Sequence, residues 1–166
     1  MGLALEILKK KHHSILENHT CLVNDDDYSQ LVNENRIVEK ISEFENRTFT
    51  LYDLNTNSYL IKNSKFKLLL EYRSQDIPEK NDMERFHELI HPNDLPFVLE
   101  TEMMALEFMQ DLSIAEKYNH KLVYDFRIQK QTGVYRRLII QIGLHKLDHN
   151  GNAWLIFIIS DLLSDN

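Results

Sequence analysis

Apolar positions recur at helical spacing from the start of the chain. Leu5, Leu8, His12, Ile15, Leu16 and His19 fall on one face, which predicts an amphipathic helix over residues 2–19. Asp25, Asp26 and Asp27 offer caps for a second helix, with a stripe through Tyr28, Leu31, Val38 and Ile41 that Asn35 interrupts. Two such helices make a hairpin that must bury its stripe on something. From Phe49 the period shortens. Residues 49–54 and 59–61 are β-prone runs around Asn55-Thr56-Asn57-Ser58, which predicts a strand hairpin. Ser64 caps a short helix over residues 65–72, Pro78 opens a polar break, and residues 83–90 predict one more short helix.

A long helix follows, with Asn93 as N-cap and Asp94 in the first turn, where negative charge favours the helix dipole. Pro96 falls at N3, where a missing N–H costs little. The buried stripe is Leu95, Leu99, Met103, Leu106 and Met109. Three strands finish the pattern. Leu122, Tyr124, Phe126 and Ile128 alternate with Val123, Asp125, Arg127 and Gln129. Thr132-Gly133 turns into residues 134–146, and residues 148–152 turn into residues 154–159. Asn150-Gly151 predicts a type I′ turn, whose two central residues both need positive φ. The order β-β-α-α-α-β-β-β implies an α+β fold, one antiparallel sheet with helices on one face. Leu122, Tyr124, Phe126, Leu138, Ile140, Trp154, Ile156 and Ile158 are its expected core.

In the last strand Trp154, Ile156 and Ile158 point one way and Leu155, Phe157 and Ile159 the other, and both sets are apolar. A sheet with one wet face would alternate instead. The outer face is therefore expected to be shared by the N-terminal hairpin and a partner subunit. Leu155, Phe157 and Ile159 are the candidate dimer surface of a homodimer.

Composition narrows the class. The 166 residues are 43% hydrophobic and 27% charged, enough for one domain with a core. A net charge of -7, with short basic clusters at Lys9-Lys10-Lys11 and Arg136-Arg137, excludes nucleic-acid binding by this segment. No apolar run reaches the ~20 residues of a membrane span. The lysines near Met1 follow the apolar residues, the reverse of a secretory signal. The single cysteine, Cys21, excludes an internal disulfide and suits a reducing cytoplasm, the expected location.

Candidate chemistry is sparse. His91 beside Pro92 has no acid–base partner near it in sequence and reads as a turn-shaping residue. His12, His13, His19 and Cys21 match no zinc spacing, so no metal is expected. No serine elbow, Cys–His arrangement or phosphate loop is present, and the chain is not expected to be an enzyme.

Residues 88–95, with His91, Pro92 and Asp94, resemble the His-Pro-x-Asp signature before the long helix of PAS domains. Residues 121–127 and 135–137 resemble the paired strands that follow it. Residues 147–155, with Asn150-Gly151 and Trp154-Leu155, resemble the terminal hairpin of one PAS subgroup. That subgroup forms the N-terminal half of LuxR-type transcriptional regulators of Bacteroidetes. The resemblance spans roughly residues 49–162 and implies a PAS-like five-stranded antiparallel sheet. It divides the chain into a helical hairpin, 1–46, and a PAS domain, 47–163, and places a helix-turn-helix domain beyond Asn166. The implied function is signal sensing and dimerisation for that DNA-binding domain; the alternative is a stand-alone small-molecule-binding PAS protein. Neither the flavin Asn-Cys-Arg motif nor a long-helix histidine is present, so neither flavin nor haem is expected. An unidentified small-molecule ligand would sit near Met103, Leu106, Tyr124 and Phe126.

Overall fold

Alternation in residues 121–129 and the apolar run of residues 153–162 become neighbouring parts of one sheet in a computed structural model of the protein. Residues 2–31, 48–61 and 82–163 are described. The predicted 65–72 helix with its Ser64 cap, the break at Pro78, and Asn35, Val38 and Ile41 lie outside them. The elements are α1 (Gly2–Asn18), α2 (residues 25–31), β1 (Thr48–Asp53) and β2 (Ser58–Ile61). Then come α3 (Asp82–Leu89), α4 (Leu95–Asp111), α5 (Ile114–Asn119), β3 (Lys121–Gln129), β4 (Tyr135–Leu147) and β5 (Ala153–Leu162).

The five strands run in the order β2-β1-β5-β4-β3, every pair antiparallel. The last strand is therefore the middle one. That position explains why β5 is apolar on both faces. Tyr124, Phe126 and Ile128 of β3 and Leu138 and Ile140 of β4 pack against Ile90 and against Leu95, Val98 and Leu99 of α4. Of the expected core, Trp154 is also buried, while Leu122, Ile156 and Ile158 are half-buried.

Several local expectations change. α4 is capped at Asp94, not Asn93, and Pro96 sits in the first turn, at N2. Asp94 makes no side-chain cap bond, because its carboxylate reaches sideways to Arg127. α2 is capped by Asn24: its Oδ1 accepts from the amides of Asp26 and Asp27 at 2.9 and 3.2 Å. The Asp27 carboxylate returns a bond from the Asn24 amide at 2.8 Å, a reciprocal capping box. The three aspartates thus lie inside the first turn rather than before it. α5 was not expected; Ser113 and Glu116 form its capping box.

The β4–β5 connection is not a type I′ turn. Leu147 pairs with Ala153, leaving a five-residue loop in which Gly151 has φ 82°. Among the described residues Asn57 is the non-glycine residue with positive φ, so Asn150 is not left-handed. The Asp148 carboxylate organises the loop instead, accepting from the amides of Asn150 and Asn152 at 2.9 and 2.7 Å. It also accepts from the Leu22 amide at 2.7 Å, which anchors the α1–α2 connection to the hairpin.

Register irregularities between Leu144 and Leu147 break the alternation in β5. Trp154 consequently packs with Leu155, Leu51 and Leu31, not with Ile156 and Ile158. An extra residue in a ladder re-aims the side chains beside it.

The first helix of the predicted N-terminal hairpin does not cover the outer face, and residues 32–46 lie outside the described residues. α1 lies along α4 on the helical side of the sheet. Its Leu5 and Leu8 join the core beneath α4, and Leu16 packs with Tyr52, Leu54 and Ala153. Among the described residues, the segment from Cys21 to Leu31 reaches the other side, where Leu31 packs with Leu155.

Candidate functional site

α4 buries Leu95, Val98, Leu99 and Met103. Residue 102 shares that face, three and four positions after Leu99 and Val98, and it is Glu102. Its carboxylate stands where four elements meet. His12 of α1 brings Nε2 to 2.8 Å from Oε2. The Tyr124 hydroxyl of β3 donates to Oε1 at 2.8 Å. His87 of α3 places Nε2 3.8 Å from Oε2. The two imidazoles meet edge to face, centroids 5.2 Å apart. Side-chain exposures of 5%, 10% and 16% for His12, His87 and Glu102 put the group out of bulk water.

Burial pushes the Glu102 carboxyl up, but the His12 bond and the nearby His87 outweigh it and hold the group down at about 2. Glu102 is thus a buried carboxylate. Burial and the Glu102 charge push the Tyr124 hydroxyl well up, so it remains a donor. The Nε2 of His87 is buried with no hydrogen-bond partner. The donor atoms of His12, His87 and Glu102 all lie within 4.8 Å of one another, so these three residues could hold a metal ion.

The histidine and cysteine group noted in the sequence is dispersed. His12 is in this junction, whereas His13 pairs with Glu17 at 3.0 Å on the exposed side of α1. His19 bonds the Ala153 carbonyl at 2.6 Å. The Cys21 thiol is pushed up to about 12 by burial and by Asp148 and Asp53.

The ligand candidates divide between two clusters. Tyr124 and Phe126 are in the core below α4, and Met103 is buried. Leu106 packs at the edge of the Tyr52–Leu54 cluster. It also lines a groove of about 290 Å³ between α1 and α4, with Ile15, Asn18, His19, Glu107 and Gln110.

His91 and Asp94 tie the start of α4 to the sheet. The His91 carbonyl accepts from the amides of Asp94 and Leu95 at 2.8 and 3.1 Å. The His91 ring accepts from the Asn93 amide and meets Tyr135 edge to face at 4.7 Å. Pro92 is exposed in this turn. Asp94 takes the amide and the Nε of Arg127, both at 2.9 Å. The Arg127 bonds hold the Asp94 carboxyl down at about 2, below its ordinary 3.8. A depressed carboxyl stabilises the fold above its unfolded value and loses that contribution as pH falls through the folded one. Asp94→Asn should therefore cost about 1–2 kcal/mol at neutral pH and narrow its gap to wild type between pH 4 and pH 2. Urea unfolding at several pH values measures this; a gap that stays constant down to pH 2 would refute the role.

Of the dimer candidates, Leu155 is fully enclosed, while Phe157 and Ile159 are half-buried. The Gly151 carbonyl accepts from the Lys117 ammonium at 2.8 Å, fastening α5 to the β4–β5 loop. No helix among the described residues is long and apolar enough to cross a membrane.

The chain matches no protein-family model and no curated protein sequence. Its fold is shared with solved structures. The PAS domain of the fruit-fly ELK potassium channel aligns at TM-score 0.53 and 14% identity, over 78% of this chain and 97% of that one. The N-terminal domain of a diguanylate cyclase with PAS/PAC sensor from Marinobacter aquaeolei aligns at TM-score 0.53 and 14% identity, over 69% and 92%. A light-oxygen-voltage domain aligns at TM-score 0.55 and 17% identity, over 78% and 86%. The chain has the PAS fold.

Proposed function

We propose that this chain is the signal-input module of a LuxR-type transcriptional regulator, acting as a homodimer. The observation that carries this reading is the junction at Glu102, where α1 is joined to α3, α4 and β3 at one buried charged point. A sensor needs an element with two positions that a local event can bias. α1 fits that need, because a polar contact inside an otherwise apolar seat can be remade or broken. β5, the central strand, would pass the change to a DNA-binding domain that follows it. The segment itself, with its net charge of -7, would leave DNA contact to that domain. The reading requires no turnover, no flavin and no haem, and a cytoplasmic location.

The dimer surface moves from the one expected. Leu155 is enclosed within the chain and has no area to offer. α4 instead exposes Phe97, Met104 and Phe108, by 52%, 67% and 51%, at spacings of seven and four that form one stripe. α1 adds exposed Leu3 and Ile7. Apolar surface of this kind on a folded domain favours association. Met104→Glu should weaken the dimer by tenfold or more, about 1.4 kcal/mol, in sedimentation equilibrium. A dimer indifferent to Met104→Glu but split by Phe157→Asp would return the interface to the outer face of the sheet. A wild-type chain that stays monomeric at every concentration would remove the homodimer.

A further inference from the structure

We propose that His12, His87 and Glu102 form a binding site for a divalent transition-metal ion of the zinc class. Two imidazole nitrogens and one carboxylate oxygen make a donor set that suits such ions, and they converge in a buried place. A hydrogen bond to the carboxylate alone would need only one histidine. His12 already supplies it at 2.8 Å, yet His87 is also buried, with its Nε2 turned to the same oxygen and unpartnered. A buried orphan nitrogen is costly, and coordination would give it a partner.

The geometry is near what an ion needs. With metal–ligand bonds of roughly 2.0–2.1 Å, tetrahedral donors stand roughly 3.3 Å apart. The two distances to Glu102 Oε2, 2.8 and 3.8 Å, straddle that value. All three donor atoms lie within 4.8 Å of one another, so the two imidazoles would turn inward to seat the ion. Tyr124 supplies the outer support. Its hydroxyl holds Oε1 of Glu102 and leaves Oε2 facing the two imidazoles. Three protein donors leave a fourth coordination position open.

One of the three donors is on α1 and two are on the PAS core. An ion would bridge them and fix α1 in place. The site itself does not depend on the regulator reading; its use as a signal does.

The test uses the full chain, stripped of metal with a chelator and titrated with Co²⁺ or Zn²⁺. The expected result is one Co²⁺ per chain with visible d–d absorption, which Zn²⁺ displaces, and a rise in thermal midpoint with Zn²⁺. Tyr124→Phe keeps the ring in the core and should weaken affinity by about tenfold or more. His87→Gln should abolish the absorption, as should His12→Gln. Folded wild type that takes up neither ion, or uptake that survives both histidine substitutions, would overturn the site. Hydrogen exchange of residues 2–18 with and without Zn²⁺ separates the two claims. Binding with unchanged protection of α1 would leave the site standing and remove its role as an input.

Discussion

Phe126→Ala should destabilise the protein by about 3–5 kcal/mol, the range for emptying a filled aromatic position in a core. Phe126 is 1% exposed and sits opposite Leu138 on β4. Its ring meets Phe86 edge to face at 5.9 Å and lies 5.8 Å from Tyr124. Val98 and Leu99 of α4 close the other side. These neighbours belong to four different elements, so they cannot all move in to fill the void. Domains of this size have about 5–15 kcal/mol in total, and a loss of this size should lower the thermal midpoint by about 10 °C. Val123→Ala, three positions earlier on the same strand and 46% exposed, should stay within about 0.5 kcal/mol. Urea unfolding of both variants checks the contrast. Equal small effects would mean that β3 does not face α4 as described.

The second large effect concerns charge. His12→Ala should cost about 3 kcal/mol, because it leaves the Glu102 carboxylate buried without the 2.8 Å partner of its Oε2. The effect falls toward the lower end of what broken buried pairs cost, since His87 remains 3.8 Å away. His13→Ala is the control one residue later. His13 and Glu17 are each 61% exposed, and such pairs contribute about 0–1 kcal/mol. Two adjacent histidines of one helix, each paired with a glutamate, should thus differ several-fold in effect.

The strands, the long helix and the α+β order were legible because each carries its period openly. Tyr124-Phe126-Ile128 alternates over the length of β3, and Leu95-Leu99-Met103 repeats over α4. The failures have local physical causes. The cap of α4 was misplaced because Asp94 fits either a cap or a first turn, and its Arg127 partner lies 33 positions away. The β4–β5 loop was misread because Asn-Gly is permissive of a type I′ turn, while Asp148 imposes a longer one. Trp154 was put with Ile156 because strict alternation was assumed through a bulge. α5 has six residues, too few to show a period.

The candidate site was the least legible part. His12 was seen on the apolar face of α1, but its partners stand 75 and 90 positions later in chain order. Glu102 was passed over because a glutamate inside a helix reads as surface. Counting by three and four from Val98 and Leu99 puts it on the buried stripe, and that was the available signal. Which side of the sheet α1 would take had no such signal, because an amphipathic helix fits any apolar face.

On the proposed reading α1 is an independently releasable element seated on the PAS core through the junction at Glu102. Native-state hydrogen exchange on wild type and His12→Ala tests this directly. If the account is right, the amides of residues 2–18 in the variant lose protection by a factor of about 100 or more, the equivalent of about 3 kcal/mol. In both proteins the central strands β1, β5 and β4 stay better protected than α1 by a factor of about 100 or more, because they open only when the whole domain unfolds. If α1 and the sheet share one level of protection in both proteins, α1 is an inseparable part of one cooperative core and the junction is not a switch.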